Sequence, residues 1–212
     1  MSWDQTNRFN RTQGVETVAL GLLAFFSLFF ALASFLPTYR LWRRSGVNAL
    51  VLPADDTAHG LVGRLFKATI VGTFILLIAL SAGLPEAAVG PLPWLEGRAV
   101  QIAGWIVLAL SLLWIIAAQY QMGSSWRIGI DTKSQTALVT NGIFGLSRNP
   151  IFLGMRVGLL GLFLVLPNAL TLAVLLLGGV LMQVQVRLEE AHLRSMHGKA
   201  YETYLASVRR WI

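Results

Sequence analysis

Residues 151–186 form an apolar stretch that carries a single charge, Arg156. As one helix rising 1.5 Å per residue it would be roughly 54 Å long, against about 30 Å for the hydrocarbon core of a bilayer. The stretch therefore has to turn back on itself. Pro167-Asn168 stands near its middle; proline lacks the N–H that a continuing helix needs, and asparagine suits the cap of the next one. A tight hairpin of two short helices is predicted. It returns whatever follows residue 186 to the boundary where residue 151 began.

Hydropathy places three further spans at 15–36, 68–84 and 99–118. The expected fold is all-α, a polytopic membrane protein of about five transmembrane helices with a C-terminal helical hairpin and a cytoplasmic C-terminal catalytic segment. Composition agrees, since 55% hydrophobic and 13% charged residues would not suit a water-soluble core. No internal repeat, low-complexity segment or linker divides the chain. It reads as a scaffold of three helices over 1–118, followed by a half over 119–212 that carries the chemistry. The polar stretch 121–150 is expected to be a structured loop because of Gly123, Gly129, Gly142 and Gly145.

The chain has no cysteine, which excludes disulfides, a thiolate nucleophile and a thiolate-ligated metal. His192 and His197 lack the carboxylate spacing of a metal site, so no metal is expected. A net charge of +7 is of the sign that nucleic acid attracts, but the basic residues flank apolar spans, where lipid headgroups and topology explain them. Arg40, Arg43, Arg44, Arg64, Lys67, Arg127, Lys133, Arg148, Arg187, Arg194, Lys199, Arg209 and Arg210 would share one side. Only Arg8, Arg11 and Arg98 would face the other. This asymmetry predicts an external N-terminus and a cytoplasmic C-terminus, and a short cysteine-free chain fits a prokaryotic inner membrane. The competing reading is a cleaved signal peptide ending near Ala31-Leu32-Ala33, which would put the basic stretch 38–67 outside.

The residues flanking the hairpin are where chemistry is expected. Arg148 and Asn149 precede its first helix, Pro150 fits the first turn and Asn149 the cap, so free N–H groups and a positive helix end face the boundary and suit an anion. The second helix reaches Glu189-Glu190 after about 21 residues, or roughly 32 Å, which brings the carboxylates back beside Arg148. Together these groups suit a zwitterionic ligand with an amino acid moiety. Arg156 lies inside a span, where a charge at a helix centre costs about 2.5 to 3.5 kcal/mol, so it is a candidate to face inward toward an acceptor or a carboxylate. Gly154, Gly158 and Gly161 are read as helix-packing positions. Tyr201, Tyr204 and Trp211 are read as interfacial anchors or pocket walls.

The run Leu138 to Gly154, with Gly142, Gly145, Arg148-Asn149-Pro150, Phe152 and Gly154, resembles the pattern of the isoprenylcysteine carboxyl methyltransferase and phospholipid methyltransferase superfamily. The ending Glu189-Glu190, Leu193, Gly198, Tyr201, Tyr204, Val208 and Arg210-Trp211-Ile212 resembles that family's finish. Asn149, Phe152 and His197 stand where members usually have histidine, tyrosine and an aromatic. The resemblance covers about 119–212. It implies S-adenosyl-L-methionine as cofactor, bound at the cytoplasmic face, and methyl transfer to a lipophilic acceptor reached from the bilayer.

Under this resemblance, Arg148, Asn149 and Pro150 at the helix start would hold the cofactor carboxylate, and Glu189 or Glu190 its ammonium. The backbone of Val139, Thr140 and Gly142 would meet the adenine edge, Trp126 would attract the sulfonium by a cation–π contact, and Tyr201 would wall the pocket. The catalytic candidates are Arg148, Asn149, Arg156 and Glu189. Asn149 is not a base at pH 7, and a carboxylate, amine or thiol acceptor stays open. Two other readings stand beside it. One is a nicotinamide-dependent membrane reductase of related architecture, the other a non-catalytic scaffold or small transporter. The expected partners are the acceptor and membrane lipids, and the oligomeric state is not set by the sequence.

Overall fold

A computed structural model describes residues 3–46, 56–126 and 137–212. Arg127 and Lys133, used above to orient the chain, lie outside the described residues, as do the side chains of Arg8, Arg11 and Arg44. The described residues form seven α-helices, short 3-10 turns and one π-helical turn, with no strand. Helix α1 (Trp3–Phe30) runs through the π turn Ala31–Phe35 into α2 (Leu36–Ser45). Helices α3 (Ala58–Ser81), α4 (Arg98–Met122), α5 (Pro150–Val165), α6 (Ala169–His197) and α7 (Lys199–Ser207) follow. Four stretches, Gln13–Arg43, Ala58–Ser81, Arg98–Met122 and Ala169–His197, are long and apolar enough to cross a membrane, and α5 is a shorter apolar helix.

The π turn has a local cause. Pro37 lacks an N–H, so the carbonyl four residues before it, that of Ala33, loses its helical donor. Gln119 of α4 supplies the replacement, its Nε2 donating to Ala33 O at 2.6 Å. The two helices are thereby joined by a hydrogen bond where an apolar helix would otherwise carry an orphan carbonyl.

The predicted hairpin is present. Helix α5 ends at Val165, and Asn168 caps α6 by accepting from the N–H groups of Leu170 at 3.0 Å and Thr171 at 2.9 Å. Thr171 Oγ1 accepts in return from Asn168 N–H at 3.2 Å, which completes a capping box. The preceding loop backs onto this turn, with Leu92 N–H donating to Pro167 O at 3.0 Å and Ala169 N–H to Gly90 O at 2.8 Å. Two lengths differ from expectation. Helix α6 is long, continuing past the glutamates to His197. Helix α3 begins ten residues before the predicted 68, because Thr57 caps it by accepting from Gly60 N–H at 3.1 Å and its polar first turns escape a hydropathy window.

Helices α4 and α5 pack closest. An added Cβ on Gly104 would lie 2.7 Å from Val165 N, one on Gly161 3.0 Å from Leu108 N, and one on Gly154 2.5 Å from a side-chain carbon of Ile115. The glycines read as packing positions are where the helix backbones meet. Around the same end lies a packed core of Leu22, Leu77, Leu80, Leu108, Leu162 and Val165.

Replacing Gly104 with Ala should therefore destabilise the bundle by about 1 to 3 kcal/mol, since overpacking outweighs the helix-propensity gain of about 1 kcal/mol. Gly179, whose added Cβ meets nothing within 4 Å, should accept Ala with unchanged or higher stability. Thermal unfolding of both variants in detergent checks the pair; equal effects would contradict the packing.

Candidate active site

The approach to α5 is built on a loop that needs glycine at one point. Gly142 has φ +59°, and a Cβ there would lie 2.6 Å from Gln121 Oε1. That oxygen accepts from Ile143 N–H at 2.8 Å, fastening the turn Gly142–Gly145 to the end of α4. Pro150 takes the first turn of α5 as expected, and its carbonyl accepts from Trp114 Nε1 at 2.8 Å.

Asn149 occupies the cap position without capping. Its amide nitrogen instead donates to Glu190 Oε1 at 2.9 Å and to Arg210 O at 3.3 Å. A primary amide has two hydrogens on one nitrogen, which suits these two acceptors and gives asparagine a physical reason here.

Glu190 is the centre of this set. Its carboxylate accepts from Arg148 Nε at 3.3 Å, from Asn149, and from Arg210 at both oxygens, with Arg210 Nη2 at 2.7 Å from Oε2. The Glu190 and Arg148 side chains are only 8% and 10% exposed, so the ion pair lies away from water. Arg148 Nη1 also donates to the carbonyls of Leu205, at 3.2 Å, and Val208. The chain's last residues lie along the same segment: Arg148 N–H donates to Arg209 O at 3.0 Å and Ser147 Oγ to Arg210 O at 3.2 Å. The hydrogen bonds to Glu190 hold the Arg210 guanidinium above its ordinary pKa.

Helix α7 closes the set. Tyr204 donates to Phe144 O at 2.6 Å, and Tyr201 stacks edge-on against it with ring centres 6.0 Å apart. Burial raises both phenols, that of Tyr204 to about 12, so both remain protonated. Arg156 faces Trp211, its guanidinium carbon 4.6 Å from the ring centre. This contact, rather than a carboxylate, occupies the one charge in the span.

Glu189 is separate from its neighbour. Adjacent helix residues point about 100° apart, and Glu189 turns to a cavity of about 410 Å³ lined by α1, α3, α4, α5 and α6. Its carboxylate accepts one hydrogen bond, from Gln185 Nε2 at 3.0 Å. Trp126, Arg148, Asn149 and Pro150 line the same cavity, so five of the predicted residues converge there. From this polar end the cavity extends to an aromatic part among Phe25, Phe26, Phe29 and Phe74. Glu190, Arg156 and Tyr201 contribute nothing to its wall. Val139, Thr140 and Gly142 lie on the loop outside it, with Thr140 exposed and Val139 half-buried.

Sequence reasoning missed Ser147, Gln185, Arg210 and His59 as site residues. Arg210 had a signal in the basic-aromatic ending. His59, at the start of α3, had none, because it falls in a stretch read as a loop.

Loss of charge at Glu190 should be structural in effect. Glu190→Gln leaves two guanidinium groups without their counterion, and removing one partner of a buried pair costs on the order of 3 kcal/mol. Thermal unfolding together with proteolysis near residue 200 checks this; an unchanged melting point would show that the ion pair does not hold the tail.

The sequence profile of the phospholipid methyltransferase family matches residues 99–200. The matched stretch runs from the start of α4 into α7 and contains Trp126, Arg148, Asn149 and both glutamates. A search of curated proteins finds no match to the chain.

Proposed function

With a domain that places this chain in the phospholipid methyltransferase family, among the membrane methyltransferases, we propose that it uses S-adenosylmethionine to methylate a lipophilic acceptor entering from the bilayer. The observation that carries this reading is a cavity, apolar and aromatic along most of its length, with Arg148, Asn149, Glu189 and Trp126 at one end. An amphiphile fits such a space with its chain among the phenylalanines and its headgroup at the polar end.

The residues present suit the cofactor. Glu189 holds a carboxylate with one internal hydrogen bond on the cavity wall, which is where an ammonium or sulfonium would be attracted. Glu190 is already saturated by two arginines and an asparagine. The ligand role therefore falls to Glu189, and Glu190 becomes a positioning residue. Arg148 lines the cavity while its Nε and Nη1 are engaged, leaving Nη2 for a ligand carboxylate. Trp126 offers a ring face to a cation, and the backbone at 139–142 a polar edge for a base.

When bound, S-adenosylmethionine supplies an electrophilic methyl group on a sulfonium. What the chain contributes is alignment and exclusion of water, which are worth most when the leaving group is already good. The buried network around Glu190 fixes the start of α5 against the end of α6. In the orientation that the basic residues favour, the polar end faces the cytoplasm and the acceptor enters between helices.

Calorimetric titration of the purified protein with S-adenosylhomocysteine, with NADPH in parallel, tests the reading. Saturable binding of the former alone supports it, binding of NADPH alone favours a reductase, and binding of neither favours a scaffold. Glu189→Gln should weaken S-adenosylhomocysteine by about tenfold, or about 1.4 kcal/mol, with the melting temperature unchanged. Undiminished affinity would remove Glu189 from the ligand shell.

A further inference from the structure

His59 stands one turn into α3 on the wall of the same cavity. Both of its ring nitrogens are buried, and neither has a hydrogen-bond partner among the described residues. Buried side-chain nitrogens are almost always paired, by protein, water or ligand. Here the open side is the cavity that Glu189 and Arg148 share. Along α3, His59, Gly63, Phe66, Ile70 and Phe74 all line it, spaced three or four residues apart and therefore on one helix face. That face is polar at the His59 end and aromatic at the other. An added Cβ on Gly63 meets nothing within 4 Å, so the space beside His59 is open.

We propose that His59 is a catalytic residue for the acceptor: a ring nitrogen accepts a hydrogen from the acceptor headgroup and takes its proton during methyl transfer. The inference rests on the methyl-transfer reading above. It narrows the acceptor to an amphiphile whose nucleophilic atom carries a hydrogen, an amine or thiol, since a carboxylate has no proton to give. In the step, the acceptor lone pair forms the bond to the methyl carbon. The carbon–sulfur bond breaks with its electron pair going to sulfur, and the N–H or S–H proton passes to the imidazole and then to water. The charged groups on the surrounding wall are Lys67 from α3 itself, Arg148 from the segment before α5 and Glu189 from α6. The π turn between α1 and α2 and helix α4 contribute the uncharged Ser34 and Gln119, and α1 contributes only phenylalanines. The unpartnered ring nitrogens thus share a wall with two cationic side chains and one carboxylate.

Dodecylamine and dodecanoate in phosphatidylcholine nanodiscs, with S-adenosylhomocysteine present, are the probes. The chain has three histidines, so His59→Leu assigns the ¹⁵N imidazole signals by difference. Dodecylamine should shift the His59 signals and dodecanoate should not. His59→Leu, which removes the hydrogen-bond acceptor, should weaken dodecylamine at least tenfold and leave S-adenosylhomocysteine within twofold of the wild type. Gly63→Leu, which fills open space without touching helix packing, should also weaken dodecylamine at least tenfold at an unchanged melting temperature. An unshifted His59 signal, an equal shift with dodecanoate, or full dodecylamine affinity in either variant would overturn the proposal. Loss of S-adenosylhomocysteine binding by the wild type would instead overturn the methyltransferase reading on which it rests.

Discussion

One carboxylate, that of Glu190, is shared by Arg148, Asn149 and Arg210, and the C-terminal half of the chain depends on that sharing. Removing a carboxylate from water costs several kcal/mol, and a buried pair breaks even only when its remaining lone pairs are filled. Three chain segments supply the partners: the residues before α5, the end of α6 and the C-terminal tail. None of these segments is held to the others by apolar contact alone at this point. The ion pair and its hydrogen bonds therefore tie the start of α5 to the end of α6. They also fix the path of residues 208–210, whose carbonyls receive Arg148 and Ser147.

Packing varies along the bundle in a way that fits a catalytic cavity. At the end near Pro167, glycines let the α4 and α5 backbones approach, and leucines fill the space between α1, α3 and α5. In lipid there is little hydrophobic drive between helices, so close packing and hydrogen bonds have to supply the association. The bundle meets that need with the glycines of the α4–α5 contact, with Gln119 bonded to Ala33 and with the Glu190 network.

Much of this was legible in the sequence because it rests on length and local chemistry. A stretch of 151–186 too long for one crossing, with Pro167-Asn168 in it, forces the hairpin, and the hairpin forces Arg148 and the glutamates together. The roles within the cluster were not legible. Glu189 and Glu190 differ only in which way the helix turns them, which depends on where α6 begins and what it packs against. The match of tail carbonyls to residues 147–149 is extended backbone meeting a loop, and leaves no periodicity to read. Arg156 looked like an inward charge, yet its partner, Trp211, arrives from the far end of the chain. His59 was hidden because hydropathy starts the second span where the apolar residues begin, whereas the helix starts at its cap, Thr57.

The adjacency of the two glutamates links stability to chemistry. Residues 189 and 190 share a helix backbone, so a rotation of α6 that freed one would displace the other. By locking Glu190 among two arginines, the protein fixes Glu189 on the cavity wall without giving Glu189 an ion-pair partner of its own. A carboxylate in that position keeps its capacity for a cationic ligand, while the free energy of holding it there is supplied by its neighbour. On the proposed reading, a substitution that loosens the tail would lower activity without touching a single residue of the cavity wall.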